Sequence, residues 1–250
     1  MIVGKYTVSV VIPTHNRHEK LAETVAGLQR QNLPREAYEI LVMDDGSTPP
    51  VELTNSVTPS NCRVVRLEGI ERSAARNAGA RLAKGTILLF LDDDISVKED
   101  FLAVHLRAQS EWPSALIVGA ISLPAEIVQT PFGRFRQRLE QLNVPLQRGV
   151  VDLPNFCTAA NMSIERELYF SLGGFNSVLH SAEDQELALR HSARGGRGGT
   201  QAVRSIGRFV RFQDMSYVAF RQQFAAPERA RQWLILKVTH RFFRVELTRN

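Results

Sequence analysis

A nearly unbroken apolar run, Thr86-Ile-Leu-Leu-Phe-Leu91, ends directly in three carboxylates, Asp92-Asp93-Asp94. A buried strand that stops in a cluster of acids needs a reason. Crowded carboxylates repel one another and raise one another's pKa unless a cation neutralises them. Hard oxygen ligands suit Mg²⁺ or Mn²⁺, ions that commonly reach proteins together with a substrate's phosphates. The carboxyl end of a strand is also where open α/β sheets bind ligands. The cluster therefore points to a metal-bridged phosphate site, although an exposed acidic turn would carry the same residues.

The chain before this run alternates strand and helix patterns. Val8–Ile12 is a continuous strand run that Pro13 is expected to end. Asn16 followed by Glu19 has the form of a helix cap and its reciprocal partner. Leu21, Val25 and Leu28 then recur on one helical face. Glu39–Met43 reads as a second buried strand and Asn61–Leu67 as a third. Ser73–Lys84 is an Ala-rich helix whose buried side is expected to be Ala75, Ala78 and Leu82, closed by Gly85 just past its end. A helix over Lys98–Trp112 and a strand over Ala115–Ile121 continue the rhythm. Such βαβ order predicts a parallel sheet with right-handed crossovers.

From about residue 124 to 150 the pattern loosens around Pro124, Pro131, Gly133, Pro145 and Gly149, with a short basic helix over Phe132–Leu142. A substrate-side flap fits this stretch better than a linker. Order returns with Thr158–Ile164, a helix over Glu165–Leu172, the turn Gly173-Gly174 and a helix over Glu183–Ala193. No domain boundary is expected before about residue 225.

Three polar clusters each follow a predicted strand: Thr14-His15-Asn16-Arg17, Asp44-Asp45 and Asp92–Asp94. In a parallel sheet these ends share one edge, so the clusters are expected to converge. Ser9-Val-Val-Ile-Pro-Thr-His-Asn-Arg17, Val42-Met-Asp-Asp-Gly-Ser47, Ser73-Ala-Ala-Arg-Asn-Ala-Gly79 and Phe90-Leu-Asp-Asp-Asp94 resemble, in order and spacing, the motifs of inverting family 2 glycosyltransferases with the GT-A fold. Asn161-Met-Ser163, Gly173-Gly-Phe175 and Glu183-Asp184 continue the resemblance, which covers roughly residues 7–225.

The resemblance implies an α/β GT-A domain over residues 1–226, with a mainly parallel central sheet and helices on both faces. It implies metal-dependent transfer of a sugar, with inversion, from a nucleotide-diphosphate donor, UDP-linked by preference, to an acceptor hydroxyl. Pro13, Thr14 and Asn16 would lie against the nucleoside. Asp45 would accept a hydrogen bond from the base, since a carboxylate only accepts and uracil N3–H donates. Arg76 would face the phosphates as a guanidinium fork. Asp92 would hold the ribose, and Asp94 would bind Mn²⁺ or Mg²⁺. Asp93 stands between them, because three acids in a row allow two readings of the metal ligand.

Glu183-Asp184 would supply the catalytic pair. Asp184 would take the acceptor's proton as general base, with Glu183 holding the acceptor or supporting the loop. Acids in a helix's first turn also favour its dipole, and both roles can hold at once. One departure stands out: many GT-A enzymes use a late histidine on the metal, and Phe209-Val-Arg-Phe-Gln-Asp214 has none. Asp214 or water would take that place. His180, near the base, is the histidine to watch, and Gly195-Gly-Arg-Gly-Gly199 follows a helix rather than a strand, so it is no dinucleotide fingerprint. The alternatives are a nucleotidyltransferase, which would not need Glu183-Asp184, and a non-catalytic nucleotide-sugar-binding module, against which intact Asp92, Asp94 and Asp184 argue.

Charge adds a separate expectation. The net charge is +5, but residues 201–250 hold ten Lys/Arg against three Asp/Glu, leaving 21 basic and 23 acidic groups in the rest. Ile235, Val238, Phe242 and Val245 share a helical face opposite Lys237, Arg241 and Arg244. Residues 227–250 therefore read as a basic amphipathic helix, open equally to peripheral membrane contact through 229–249 and to ordinary packing on the catalytic domain with a solvated basic face. Cys62 and Cys157 form no CxxC pair, no signal peptide is recognised, and no stretch reaches the roughly 20 apolar residues of a membrane span. A cytoplasmic protein with no nucleic-acid partner is expected, and contact through the C-terminal helix would place it at the membrane's cytoplasmic face.

Overall fold

The structure is a computed structural model that describes residues 6–53, 60–119, 121, 123–142, 149–151, 157–194 and 209–212. Its first half comprises strand β1 (Tyr6–Thr14), helix α1 (His18–Gln29), β2 (Tyr38–Asp45), β3 (Cys62–Leu67), α2 (Arg72–Leu82) and β4 (Gly85–Leu91). There follow α3 (Phe101–Glu111), β5 (Leu116–Gly119), α4 (Ala125–Val128), α5 (Pro131–Leu142), β6 (Gly149–Val151), β7 (Asn161–Glu165), α6 (Arg166–Ser171), α7 (Glu183–Arg194) and β8 (Phe209–Phe212). The strands form one eight-stranded sheet in the order β3-β2-β1-β4-β7-β5-β8-β6. Six of the eight run in one direction, while β7 and β6 run against them. The mainly parallel α/β architecture is thus the one expected.

Side chains on successive strand positions point to opposite faces. Val8, Val10, Ile12, Ile40, Val42, Ile87 and Leu89 meet Leu21, Val25 and Leu28 of α1 and Phe101 and Leu102 of α3. Val11, Leu41, Met43, Leu88 and Phe90 face the other way, toward Ala75 and Ala80 of α2, Tyr169 of α6 and Leu187 of α7. Helices on both faces are what continuous apolar strands require. Each fully buried Val or Leu contributes roughly 1.5–3 kcal/mol, so the central strands anchor the polar loops at their ends.

Several local expectations are corrected. Pro13 does not end β1, which runs to Thr14. Pairing with β4 stops at Val11, but pairing with β2 continues through Pro13, whose missing N–H is tolerated where one side of the strand is no longer paired. Asn16 does not cap α1: Arg17 occupies the cap position without a side-chain hydrogen bond, and Asn16 is left-handed at φ 55°. The buried side of α2 is Ser73, Ala75, Arg76, Gly79 and Ala80, while Ala78 is half-buried and Leu82 is 39% exposed. The helix is rotated because Gly79 lies against the sheet, where a Cβ would come 2.4 Å from Val11 Cγ1. Gly85 is not the helix cap but the first residue of β4, and a Cβ there would sit 2.6 Å from the Ser9 nitrogen.

One buried polar network backs the strand that carries the acids. His105 of α3 is fully buried, with Nδ1 2.9 Å from Ser163 Oγ and Nε2 2.9 Å from Asn161 Oδ1, both on β7. Gln109 Nε2 donates to the same Ser163 hydroxyl. The pattern is satisfied by a neutral imidazole that donates from Nε2 and accepts at Nδ1. Burial pushes His105 down to about 4, against a weaker opposite pull from Asn161. Below its ordinary value of 6.5 the unfolded chain takes a proton that the folded chain refuses, so stability is full above pH 6.5 and falls toward pH 4. The loss should approach about 3 kcal/mol at pH 4. Asp94 works the other way, since its raised pKa returns stability as pH falls. The His105 contribution is therefore read as the difference between wild type and His105→Gln in urea titrations at pH 7.5 and pH 4.5, with a smaller acid loss expected in the variant. Equal losses would show that the imidazole is not the titrating group.

Candidate active site

The polar clusters converge at the carboxyl edge of the parallel strands. Register places Thr14 beside Asp44, and Thr14 Oγ1 donates to Asp93 Oδ2 at 2.7 Å. Asn16 accepts from Thr48 N at Oδ1 (2.7 Å), and its own backbone N–H donates to Ser47 Oγ (2.9 Å). Its left-handed backbone lets it lace the loop after β1 to the loop after β2. His15 Nδ1 lies 2.7 Å from the Asp45 carbonyl oxygen, and Asn16 Nδ2 lies 2.9 Å from His15 Nε2, so the ring donates from Nδ1 and accepts at Nε2. The Asp45 carboxylate accepts from Ile70 N at Oδ1. Pro13 is buried beneath these loops.

Sequence reasoning gave no role to several residues that build this edge. Asp44 is buried and accepts from Ser47 N, Val51 N and Arg66 Nη1. Burial alone would raise its pKa, but these hydrogen bonds outweigh it and hold the carboxyl at about 2. Arg66 also donates to the Ser47 carbonyl, so it fixes the turn that presents Asp45. Thr24 donates to the Asp93 carbonyl from the buried face of α1. A polar residue between Leu21 and Val25 on an apolar face was the signal for it.

Arg76 joins the two halves of the site. Its Nη2 lies 2.6 Å from Asp92 Oδ1, and its Nη1 lies 2.8 Å from Glu183 Oε1. The side chain is only 2% exposed, with its guanidinium carbon 5.7 Å from the Phe175 ring centre. The fork expected to face phosphates thus faces two carboxylates, because a buried cation needs paired anions. Asn77 supports it from behind: its Oδ1 accepts from Tyr169 Oη and Phe175 N, and its Nδ2 donates to the Phe175 carbonyl.

Glu183 and Asp184 open α7, as the sequence implied. Asp184 Oδ2 accepts from Ala159 N at 3.2 Å, and Oδ1 accepts from Gln185 N at 2.8 Å. Burial, and then the neighbouring Glu183 charge, raise the Asp184 pKa more than these bonds lower it. A carboxylate lifted toward neutrality is better matched to proton abstraction than an ordinary one.

At the position where a metal is expected, Asp93 and Asp94 are buried and share one cation, Arg17 Nη1, at 3.2 and 2.8 Å. Burial, then the charges of Asp92 and Asp93, push Asp94 up to about 7. Among the described residues no three His, Cys, Asp or Glu side chains form a ready metal cage. One observation fits a divalent ion nonetheless: Asp94 Oδ1 is buried and has no hydrogen-bond partner. An ion such as Mg²⁺ is usually held by one or two carboxylates plus substrate phosphates, not by an all-protein cage. Asp214, Gly195–Gly199 and the helix expected over 227–250 lie outside the described residues, and no helix among the described residues is long and apolar enough to cross a membrane.

The family model for Glycosyl transferase family 2 matches residues 9–169, more than half of the chain. The chain belongs to glycosyl transferase family 2. It is 28% identical over 186 residues to an uncharacterized glycosyltransferase of Haemophilus influenzae, covering 73% of this chain and 60% of that one. It is 35% identical over 119 residues to validoxylamine A glucosyltransferase of Streptomyces hygroscopicus subsp. limoneus, covering 44% and 26%. The chain thus spans less than two thirds of the length of these relatives. Among solved structures, S. aureus TarS 1-349 superposes with a TM-score of 0.62 at 21% identity, covering 85% of this chain and 60% of that one. The Pyrobaculum calidifontis mannosyltransferase PcManGT, in complex with GDP-Man and Mn²⁺, superposes with a TM-score of 0.57 at 21% identity, covering 87% and 58%. These likenesses establish the GT-A fold of this family 2 chain.

Proposed function

We propose that the protein transfers a sugar, with inversion, from a nucleotide-diphosphate sugar to an acceptor hydroxyl, using Mn²⁺ or Mg²⁺ at Asp94. The observation that carries this reading is Arg76: one buried guanidinium ties Asp92 of the strand-end cluster to Glu183, next to Asp184. A nucleotide-side acid and an acceptor-side acid are thereby set in fixed relation, as a single displacement requires. A nucleotidyltransferase would have no use for that link.

Each side chain then has a task. Asn16 borders the nucleoside, with buried Pro13 and Thr14 supporting its loop, and Asp45 accepts from the base. Asp92, fixed by Arg76, receives the ribose hydroxyls, and Asp93 supports Thr14. A bound divalent cation offsets the charge that develops on the departing diphosphate. Asp184 takes the acceptor's proton as that oxygen bonds to the anomeric carbon, and the electrons of the breaking C–O bond leave with the diphosphate on the opposite face. Glu183, held by Arg76, orients the acceptor loop. UDP is the preferred donor nucleotide: a TarS structure contains UDP-GlcNAc, and uracil offers Asp45 a donor. Guanine offers one too, and PcManGT carries GDP-Man.

The test is calorimetric titration of UDP and GDP into the full chain with Mn²⁺ or with EDTA, together with Asp94→Ala. One nucleotide should bind at least about tenfold more tightly with metal, and Asp94→Ala should abolish that difference and the transfer. Turnover should release nucleoside diphosphate, not pyrophosphate. Metal-independent binding with EDTA-resistant transfer in Asp94→Ala would overturn the metal assignment, and pyrophosphate release would overturn the reaction.

A further inference from the structure

We propose that Arg17 is a built-in counter-cation that holds the carboxylate pair Asp93–Asp94 while the site is empty and must be displaced for a divalent ion to enter. The inference rests on the metal-dependent reading above and concerns how the metal arrives.

Three observations carry it. First, one nitrogen, Arg17 Nη1, lies 2.8 Å from Asp94 Oδ2 and 3.2 Å from Asp93 Oδ1, so a positive charge already stands between the two carboxylates. Second, the partners differ sharply in exposure: the Asp94 side chain is 1% exposed and that of Arg17 is 44% exposed. The acids are fixed in the protein, while the arginine reaches in from the loop after β1 and has water behind it. Third, Asp94 Oδ1 is buried and unpartnered although a guanidinium stands beside its twin oxygen. Arg17 thus satisfies only half of the carboxylate, so a divalent ion seated in its place could also engage the oxygen that the guanidinium leaves unpaired.

The consequence is an order of events. With Arg17 seated, a bare divalent ion meets a cluster already partly neutralised and a like charge at its door. A metal ion that arrives on a nucleotide diphosphate brings its own anion, and that anion gives the released guanidinium a new partner suited to its planar fork. Donor and metal would then enter together, and the empty site would bind metal poorly. No bond is made or broken in this exchange of ionic partners.

The experiment measures Mn²⁺ binding by electron paramagnetic resonance, without nucleotide and at low salt, on the full-length wild type, Arg17→Gln and Arg17→Lys. Arg17→Gln should bind bare Mn²⁺ at least about tenfold more tightly than wild type, and Arg17→Lys, which keeps the charge, should stay near wild type. With saturating UDP the order should reverse, the Gln variant losing affinity for the metal–nucleotide pair. Because Arg17→Gln leaves Asp93 and Asp94 facing each other, its thermal midpoint should fall in EDTA and rise more on adding Mn²⁺ than that of wild type. A Gln variant that binds bare Mn²⁺ no better than wild type, with an equal thermal shift, overturns the proposal. That outcome is distinct from failure of the metal-dependent reading itself, in which wild type with UDP takes up no Mn²⁺ at all.

Discussion

Asp184→Asn is expected to cut turnover by about 10²–10⁴-fold, the usual worth of general-base help, while leaving nucleotide affinity close to that of wild type. The substitution keeps the shape of the side chain but removes its ability to accept the acceptor's proton. Its structural cost is limited. The carboxylate accepts from two backbone N–H groups, those of Ala159 and Gln185, and an amide can satisfy only one of them. Losing one such bond to a carboxylate, with a buried N–H left unpaired, costs about 1–3 kcal/mol. A pH profile separates the base from a merely structural acid. Because burial and Glu183 raise the Asp184 pKa above the ordinary carboxylate value, wild-type kcat/KM should rise with pH through that raised pKa. The same limb should vanish in the Asn variant. Normal turnover would place the base elsewhere, and lost nucleotide binding would make Asp184 a donor-site residue.

How far the sequence could be read follows from what kind of interaction fixes each part. Strands β1, β2 and β4 were legible because both of their faces are apolar, and that pattern has few other uses. Strands β6 and β8 were not, being three and four residues long and too short to carry a period. The convergence of Thr14, Asp45 and Asp92–Asp94 followed from parallel topology alone. What remained hidden was side-chain partnership. Nothing in Arg76's spacing says that its fork spans Asp92 and Glu183, residues far apart in the chain, and Arg17 beside Asn16 gives no hint that it reaches Asp93 and Asp94. Asn16 reads as a helix cap although it is a left-handed loop residue, because both positions favour the same short polar side chain. Periodicity places Leu82 in the interior, since it cannot anticipate that a buried arginine and the Gly79 contact turn the helix.

Arg76→Met should lower stability by about 3–5 kcal/mol and cut turnover by at least about 10²-fold. The stability figure is that of breaking a buried ion pair from one side, which strands its partner. Glu183 is the group most exposed to this loss, with a side chain only 4% accessible; its other cation, Arg72, stands 3.7 Å away on a largely exposed side chain. Asp92 is less affected, since it can turn toward water. Methionine preserves most of the volume and can still pack on Phe175, so the effect is electrostatic more than steric. Arg76→Lys should fall between wild type and Met, because one ammonium cannot span both carboxylates as a fork does. The decisive variant is Arg76→Met with Glu183→Gln. If the penalty comes from an uncompensated carboxylate, removing that charge should restore at least about 1.5 kcal/mol in urea denaturation, a coupling within the range for residues in direct contact. Turnover should not recover, because the link between the nucleotide side and the acceptor side would still be absent. A double variant no more stable than Arg76→Met, or a single variant within about 1 kcal/mol of wild type, would show that the bridge is incidental to both fold and catalysis.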